Sequence, residues 1–247
     1  MSVALAHPAS TIAADVTQAV SARELGVRFD DRAVLQDITL DIAAGQYVAL
    51  VGANGAGKST FLRVLATLLP AGDGEVRLFG QDLARAGPRV RGKIGLIGHQ
   101  TMLYRDLTVR ENLEFFGRLY GIADPSGRAR LLMDAVGLPH RADDPVKSLS
   151  RGMGQRVAIA RALMHSPDLL LADEPFAGLD IASALALEEL LGHFHHKGRT
   201  IVLVNHDIGQ SLRLAQRVLV LRGGRLVTDR PTSQCDAQSI AARIIGP

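Results

Sequence analysis

The chain has 247 residues, 47% hydrophobic, with 28 basic and 25 acidic side chains, which fits one large domain or one domain with a lobe. A net charge of +3, the absence of Trp and an aromatic content of 4% give no footing for nucleic acid as a partner. Cys235 is alone, which excludes an internal disulfide, and no apolar run approaches the ~20 residues of a membrane-crossing helix.

In chain order, residues 1–20 are expected to be a flexible extension. They have no basic leader, and His7 and Pro8 break the apolar stretch that a secretion signal would need. From 24 to 51 the chain reads as strands: Leu25, Val27 and Phe29 alternate, Asp30-Asp31 turns, and Val34-Leu35 and residues 38–42 follow. Tyr47-Val48-Ala49-Leu50-Val51 is a short apolar run suited to a buried strand.

The next nine residues, Gly52-Ala53-Asn54-Gly55-Ala56-Gly57-Lys58-Ser59-Thr60, fit the phosphate-loop pattern G-x-x-x-x-G-K-[ST]. Phe61, Leu62, Val64, Leu65 and Leu68 then recur at helical spacing until Pro70. Glycines let backbone amides close around a polyphosphate, and the new helix offers its positive end to the same anion. Lys58 adds a charge toward the β- and γ-phosphates, and the Ser59 hydroxyl is placed for Mg²⁺.

Beyond it, residues 75–79 and 94–98 read as strands, and residues 109–136 as helical, with Pro125-Ser126-Gly127 taken as the break between two apolar faces. Residues 149–156 open another helix. Leu169-Leu170-Leu171-Ala172 is a buried strand ending in Asp173-Glu174, where one carboxylate can hold Mg²⁺ and the next can orient or deprotonate water. A helix over 184–194 ends in His193, His195, His196 and Lys197, cations suited to a helix C-terminus rather than to a metal. Thr200-Ile201-Val202-Leu203-Val204 is a core strand ending at Asn205-His206-Asp207, and residues 218–227 read as a hairpin turning at Arg222-Gly223-Gly224.

With these motifs in order, the chain from about 25 to 227 resembles the ATP-binding subunit of an ABC transporter. The resemblance rests on residues 52–60, Leu149-Ser150-Arg151-Gly152-Met153, residues 171–174, Ala177-Gly178-Leu179-Asp180 and His206. It implies an α/β P-loop NTPase with a RecA-like core, an N-terminal antiparallel β subdomain and an inserted α-helical subdomain. The ATPase domain would span 21–230, its helical insert about 101–155, and a C-terminal tail 231–247.

The resemblance also implies ATP and Mg²⁺ as cofactors. Phe29 would stack on adenine, and Gly52, Asn54, Gly55, Ala56, Gly57, Lys58, Ser59 and Thr60 would wrap the phosphates. Ser59 and Asp173 would ligate Mg²⁺, and Glu174, His206 and Lys58 would carry catalysis. Ser150 and Gly152 would cap ATP held by a second subunit, and Asp180 would join the two sites. Partners would be that second ATP-binding subunit and integral-membrane permease subunits, with the chain peripheral on the cytoplasmic face of the membrane.

Two positions depart from the pattern. Arg151 stands where the signature usually has Gly, and Met153 where it has Gln. The family's further glutamine ligand falls on His99, with Gln100 one place later; either residue could fill the role, and a carboxamide oxygen at Gln100 suits a hard cation better. The run Ile97-Gly98-His99-Gln100, Leu103-Tyr104 and residues 107–113 is similar to haem-exporter ATPases of cytochrome c maturation. Drug, lipid or polysaccharide exporters, and soluble ABC ATPases outside transport, are the alternatives.

Overall fold

The computed structural model describes residues 18–98 and 100–246; residues 1–17, which make up most of the expected extension, and His99 lie outside the described residues. β1 (Gln18–Phe29) and β2 (Arg32–Ala43) form a hairpin across Asp30-Asp31, followed by β3 (Tyr47–Gly52), α1 (Lys58–Leu65), β4 (Asp73–Leu78) and β5 (Gln81–Asp82). Next come α2 (Leu83–Arg91), β6 (Ile94–Ile97), α3 (Val109–Leu119), α4 (Pro125–Ala135), α5 (Arg151–Leu163), β7 (Leu169–Asp173) and α6 (Ile181–His196). β8 (Thr200–Val204), α7 (Ile208–Leu214), β9 (Arg217–Arg222), β10 (Arg225–Pro231) and α8 (Ala237–Ile245) complete the chain.

Two sheets result. An antiparallel one has the order β2-β1-β4-β5, and a six-stranded one the order β10-β9-β3-β8-β7-β6, in which only the edge strand β10 pairs antiparallel. Every residue of β3 and β8 is buried. This is why both read as unbroken apolar runs, as strands covered on both faces must. Phe61, Leu62 and Leu65 of α1 join the core shared by the two sheets. Helices α3 to α6 close a second core over Tyr47, Ala49, Leu170 and Leu203 on the other face.

Four expectations shift. β1 begins at Gln18, inside the expected extension, because Ala19 and Val20 are fully buried and Val20 pairs with both Ile42 and Leu78. Pro125 does not separate two helices but starts α4, with the Asp124 side chain accepting from the Gly127 amide; its fixed φ and missing N–H suit that first position. The expected edge of the helical insert at 155 falls within α5, which runs unbroken to Leu163. The expected tail holds α8, whose Ile240 is buried against Val51, Val218 and Val220.

The entry into the helical lobe is held by polar bonds. Thr108 and Glu111 form a reciprocal capping box, and fully buried Asn112 bonds the backbone of Tyr104 in both directions.

His165 sits between the lobe and the large sheet, stacked on Tyr120 at 3.9 Å with Nε2 2.9 Å from the Ile94 carbonyl. A carbonyl can only accept, so Nε2 carries a proton and donates it. Burial pushes its pKa down from 6.5 to about 4, only partly opposed by the Ile94 bond. Between those values the unfolded chain binds the extra proton, so stability falls as pH drops from 6.5 toward 4. Urea titrations across this window should show a loss of about 3 kcal/mol, and His165→Phe should flatten that part of the profile.

Candidate functional site

Strand register brings the site together. Leu50 of β3 lies opposite Val204 of β8, and Val204 lies opposite Asp173 of β7, so three parallel strands end level. The phosphate loop, Glu174 and Asn205-His206 leave from that one edge, the carboxyl-end crevice where open α/β sheets take ligands. β7 is therefore not the phosphate-loop strand's neighbour: β8 stands between them and carries His206 to the middle of the site.

The loop's shape depends on missing side chains. A Cβ on Gly52 would stand 2.3 Å from the Leu221 carbonyl, and one on Gly57 2.8 Å from that of Val34. Gly57 is also left-handed, at φ 104, whereas Gly55 at φ 76 has nothing within 4 Å of its missing Cβ. From behind, the Gly224 amide of the β9–β10 turn donates to the Ala56 carbonyl at 3.2 Å. Asn54 and Gly55 are exposed, and Ser59 and Thr60 are half-buried at the first turn of α1.

Side-chain oxygens of Asp82, Thr108, Asp124, Ser150, Asp180, Asp207 and Asp236 cap α2 to α8. α1 starts at Gly57 with no side-chain cap. Its first amides are left for an anion brought from outside. Buried Lys58 bonds the Gly52 and Ala53 carbonyls at 2.8 and 2.9 Å. Burial lowers its pKa, while the negative charges of Glu174 and Asp173 oppose that shift.

Glu174 Oε1 accepts from His206 Nε2 at 2.6 Å. Its backbone is left-handed at φ 52, and its amide donates to the Val204 carbonyl at 2.9 Å. Such a φ costs of order 1–3 kcal/mol and persists where surroundings over-determine it, as at functional sites. Asp173 Oδ1 is buried with no hydrogen-bond partner among the described residues. A dry, unpaired carboxylate oxygen beside a hydroxyl-bearing loop fits a hard divalent cation. Gln100 is exposed just past β6, the strand paired with β7.

Ser150 and Asp180 are exposed and Gly152 is half-buried between them in sequence, away from the phosphate loop. Ser150 caps α5 by accepting from the Met153 amide at 3.3 Å. A Cβ on Gly152 would lie 3.3 Å from the Gly178 carbonyl, and the departing residue Arg151 lays its guanidinium along Gly178. Asp180 accepts from the Ser183 amide at 2.7 Å, which lowers its pKa. No hydrogen bond joins these groups to the phosphate loop of the same chain among the described residues. Phe29 ends β1 with 45% of its surface exposed.

A roomy cleft of about 960 Å³ lies elsewhere, lined by Lys93, Arg128, Arg130, His165, Asp168 and Arg199 among others. Lys93 and Asp168 precede β6 and β7, so it opens at the wrong ends of the strands for this chemistry.

A family model described as "ABC transporter" matches residues 35–177. The chain is 40% identical over 233 residues to the Fe(3+) ions import ATP-binding protein FbpC of Streptomyces avermitilis, covering 92% of this chain and 67% of that one. It is 34% identical over 236 residues to the Nod factor export ATP-binding protein I of Cupriavidus pinatubonensis, covering 94% and 73%. Among solved structures, the dimeric post-hydrolysis state of the ATP-binding cassette MJ0796 bound to ADP and Pi superposes with a TM-score of 0.81. It is 28% identical and covers 86% of this chain and 98% of that one.

Two loop glycines separate backbone conformation from close approach. Gly55→Ala should cost about 1 kcal/mol, the penalty of a left-handed alanine alone. Gly57→Ala adds a collision with backbone and should cost clearly more, with chemical denaturation of the two variants as the comparison.

Proposed function

The chain belongs to the ABC transporter family and is one of its ATPases, and on that premise we propose that it drives a membrane permease as the ATP-hydrolysing subunit. One observation carries the reading: the Glu174–His206 pair stands at the same strand edge as the uncapped start of α1.

Loop amides and the α1 terminus wrap the phosphates, and Lys58 turns from the Gly52 and Ala53 carbonyls to the β- and γ-oxygens. Ser59, Asp173 and Gln100 would hold Mg²⁺, which would supply neutralisation of phosphate charge. Glu174 orients a water and takes its proton as the new bond to the γ-phosphorus forms and the bond to the β-phosphate oxygen breaks, giving ADP and phosphate. His206 keeps the Glu174 carboxylate turned to that water.

Phe29 supports the adenine. Ser150 and Gly152 of a second copy close over the triphosphate, and Asp180 joins the two sites across the seam. Support for a two-copy assembly is the exposure of Ser150 and Asp180 together with the dimeric relative. No helix among the described residues is long and apolar enough to cross a membrane. Family membership supports placing the chain on the cytoplasmic face, working through separate permease subunits. We read the transport as export, with haem as the cargo; its support is the spelling of residues 97–113, since importers and exporters are matched at similar identity.

Glu174→Gln keeps the shape and removes the base. Turnover should fall on the order of 10²–10⁴-fold while ATP binding persists and a closed dimer accumulates on size-exclusion chromatography. Unchanged hydrolysis would remove Glu174 from this role. Co-purification with a haem-export permease checks the cargo, and recovery with a drug permease instead would overturn it.

A further inference from the structure

Nothing so far explains what fixes His206. Its side chain is half exposed, and its one recorded polar partner is Glu174. The residue before it is different: Asn205 is buried, and its Nδ2 donates to Gln210 Oε1 at 2.7 Å. Gln210 lies on α7, and its backbone amide donates to the Asp207 side chain at 2.9 Å, capping that helix just after His206, while the Asp207 amide donates to Asn205 Oδ1 at 3.4 Å across His206. Gln210 Nε2 in turn donates to Glu188 Oε1 at 2.7 Å. Glu188 sits on α6, the helix that Asp180 caps, and the same oxygen accepts from Arg213 at 2.8 Å.

We propose that Gln210 and Glu188 are positioning residues for hydrolysis, holding the Asn205-His206 turn so that His206 meets Glu174. This rests on the role given above to the Glu174–His206 pair. The chemistry of the chain is directional. The carboxamide at 210 accepts from Asn205 with one atom and donates to Glu188 with the other. A carboxylate there faces a second carboxylate at 188, and like charges at hydrogen-bond distance push apart. Exchanging the two groups restores the order: a carboxylate at 210 accepts from Asn205 and from a carboxamide at 188. The linkage also ties the turn to the helix that starts at Asp180, so a shift at the subunit seam reaches the base through a short run of hydrogen bonds.

The test uses the full chain, with ATP turnover, nucleotide affinity and melting temperature measured on each variant. His206→Ala is the control, and if it retains turnover the underlying catalytic reading fails first. With that loss in hand, Q210L and Q210E should each lower kcat about tenfold with ATP affinity within about twofold, the pattern of a misplaced catalytic group. Adding E188Q to Q210E should restore kcat to within about threefold of the original. A merely structural role predicts no such rescue, because a second substitution would compound the damage. Full turnover in Q210E, equal losses of affinity and kcat, or a double variant no faster than Q210E at an unchanged melting temperature would each overturn the proposal.

Discussion

The level ending of β3, β8 and β7 is the constraint on which the site depends. Hydrogen-bonded register fixes Leu50, Val204 and Asp173 in one row, and a slip by one residue would turn every following side chain to the opposite face. Because both faces of β3 and β8 are buried, that slip would also exchange the side chains that fit the two cores and misfit both. The hydrophobic core thus sets the spacing of the chemistry. The Glu174–His206 contact follows from it, reinforced by the Glu174 amide on the Val204 carbonyl.

A second ordering principle is where the fold leaves polar groups unsatisfied. Helix starts are capped by side chains along the described chain, with α1 the exception. Asp173 Oδ1 is unpartnered a short way off. Free amides favour negative charge and a bare carboxylate oxygen favours positive charge, so the crevice suits an anion and a cation bound together. Lys58, bonded inward to loop carbonyls, keeps the same place charged without leaving an ammonium unpaired.

Much of this was legible in the sequence, for identifiable reasons. Strands buried on both faces spell themselves as Val, Ile and Leu runs, and Gly52 and Gly57 of the phosphate loop sit where backbone or packed side chains leave no room for a Cβ. Strand order was not legible, because nothing in residues 200–204 says that they insert between β3 and β7. Short elements escaped as well. α2 is rich in arginine and contains Gly87 and Pro88, while α7 is only seven residues long. α8 offers Ile240, Ile244 and Ile245 in place of a long apolar face, so its packing decides its structure. The polar chain from Asn205 to Glu188 joins residues on separate elements and carries no local signal.

The latch from Gly224 to Ala56 has a bearing on biosynthesis. The phosphate loop leaves the ribosome before the strand beside it and the turn that backs it, which belong to residues 217–225. Gln36 is also tied to that turn, through its own amide to the Gly224 carbonyl and its side chain to that of Gly223. A nascent chain therefore displays the motif long before it owns the scaffold that shapes it. The shape of the loop waits on residues that follow it by most of the domain.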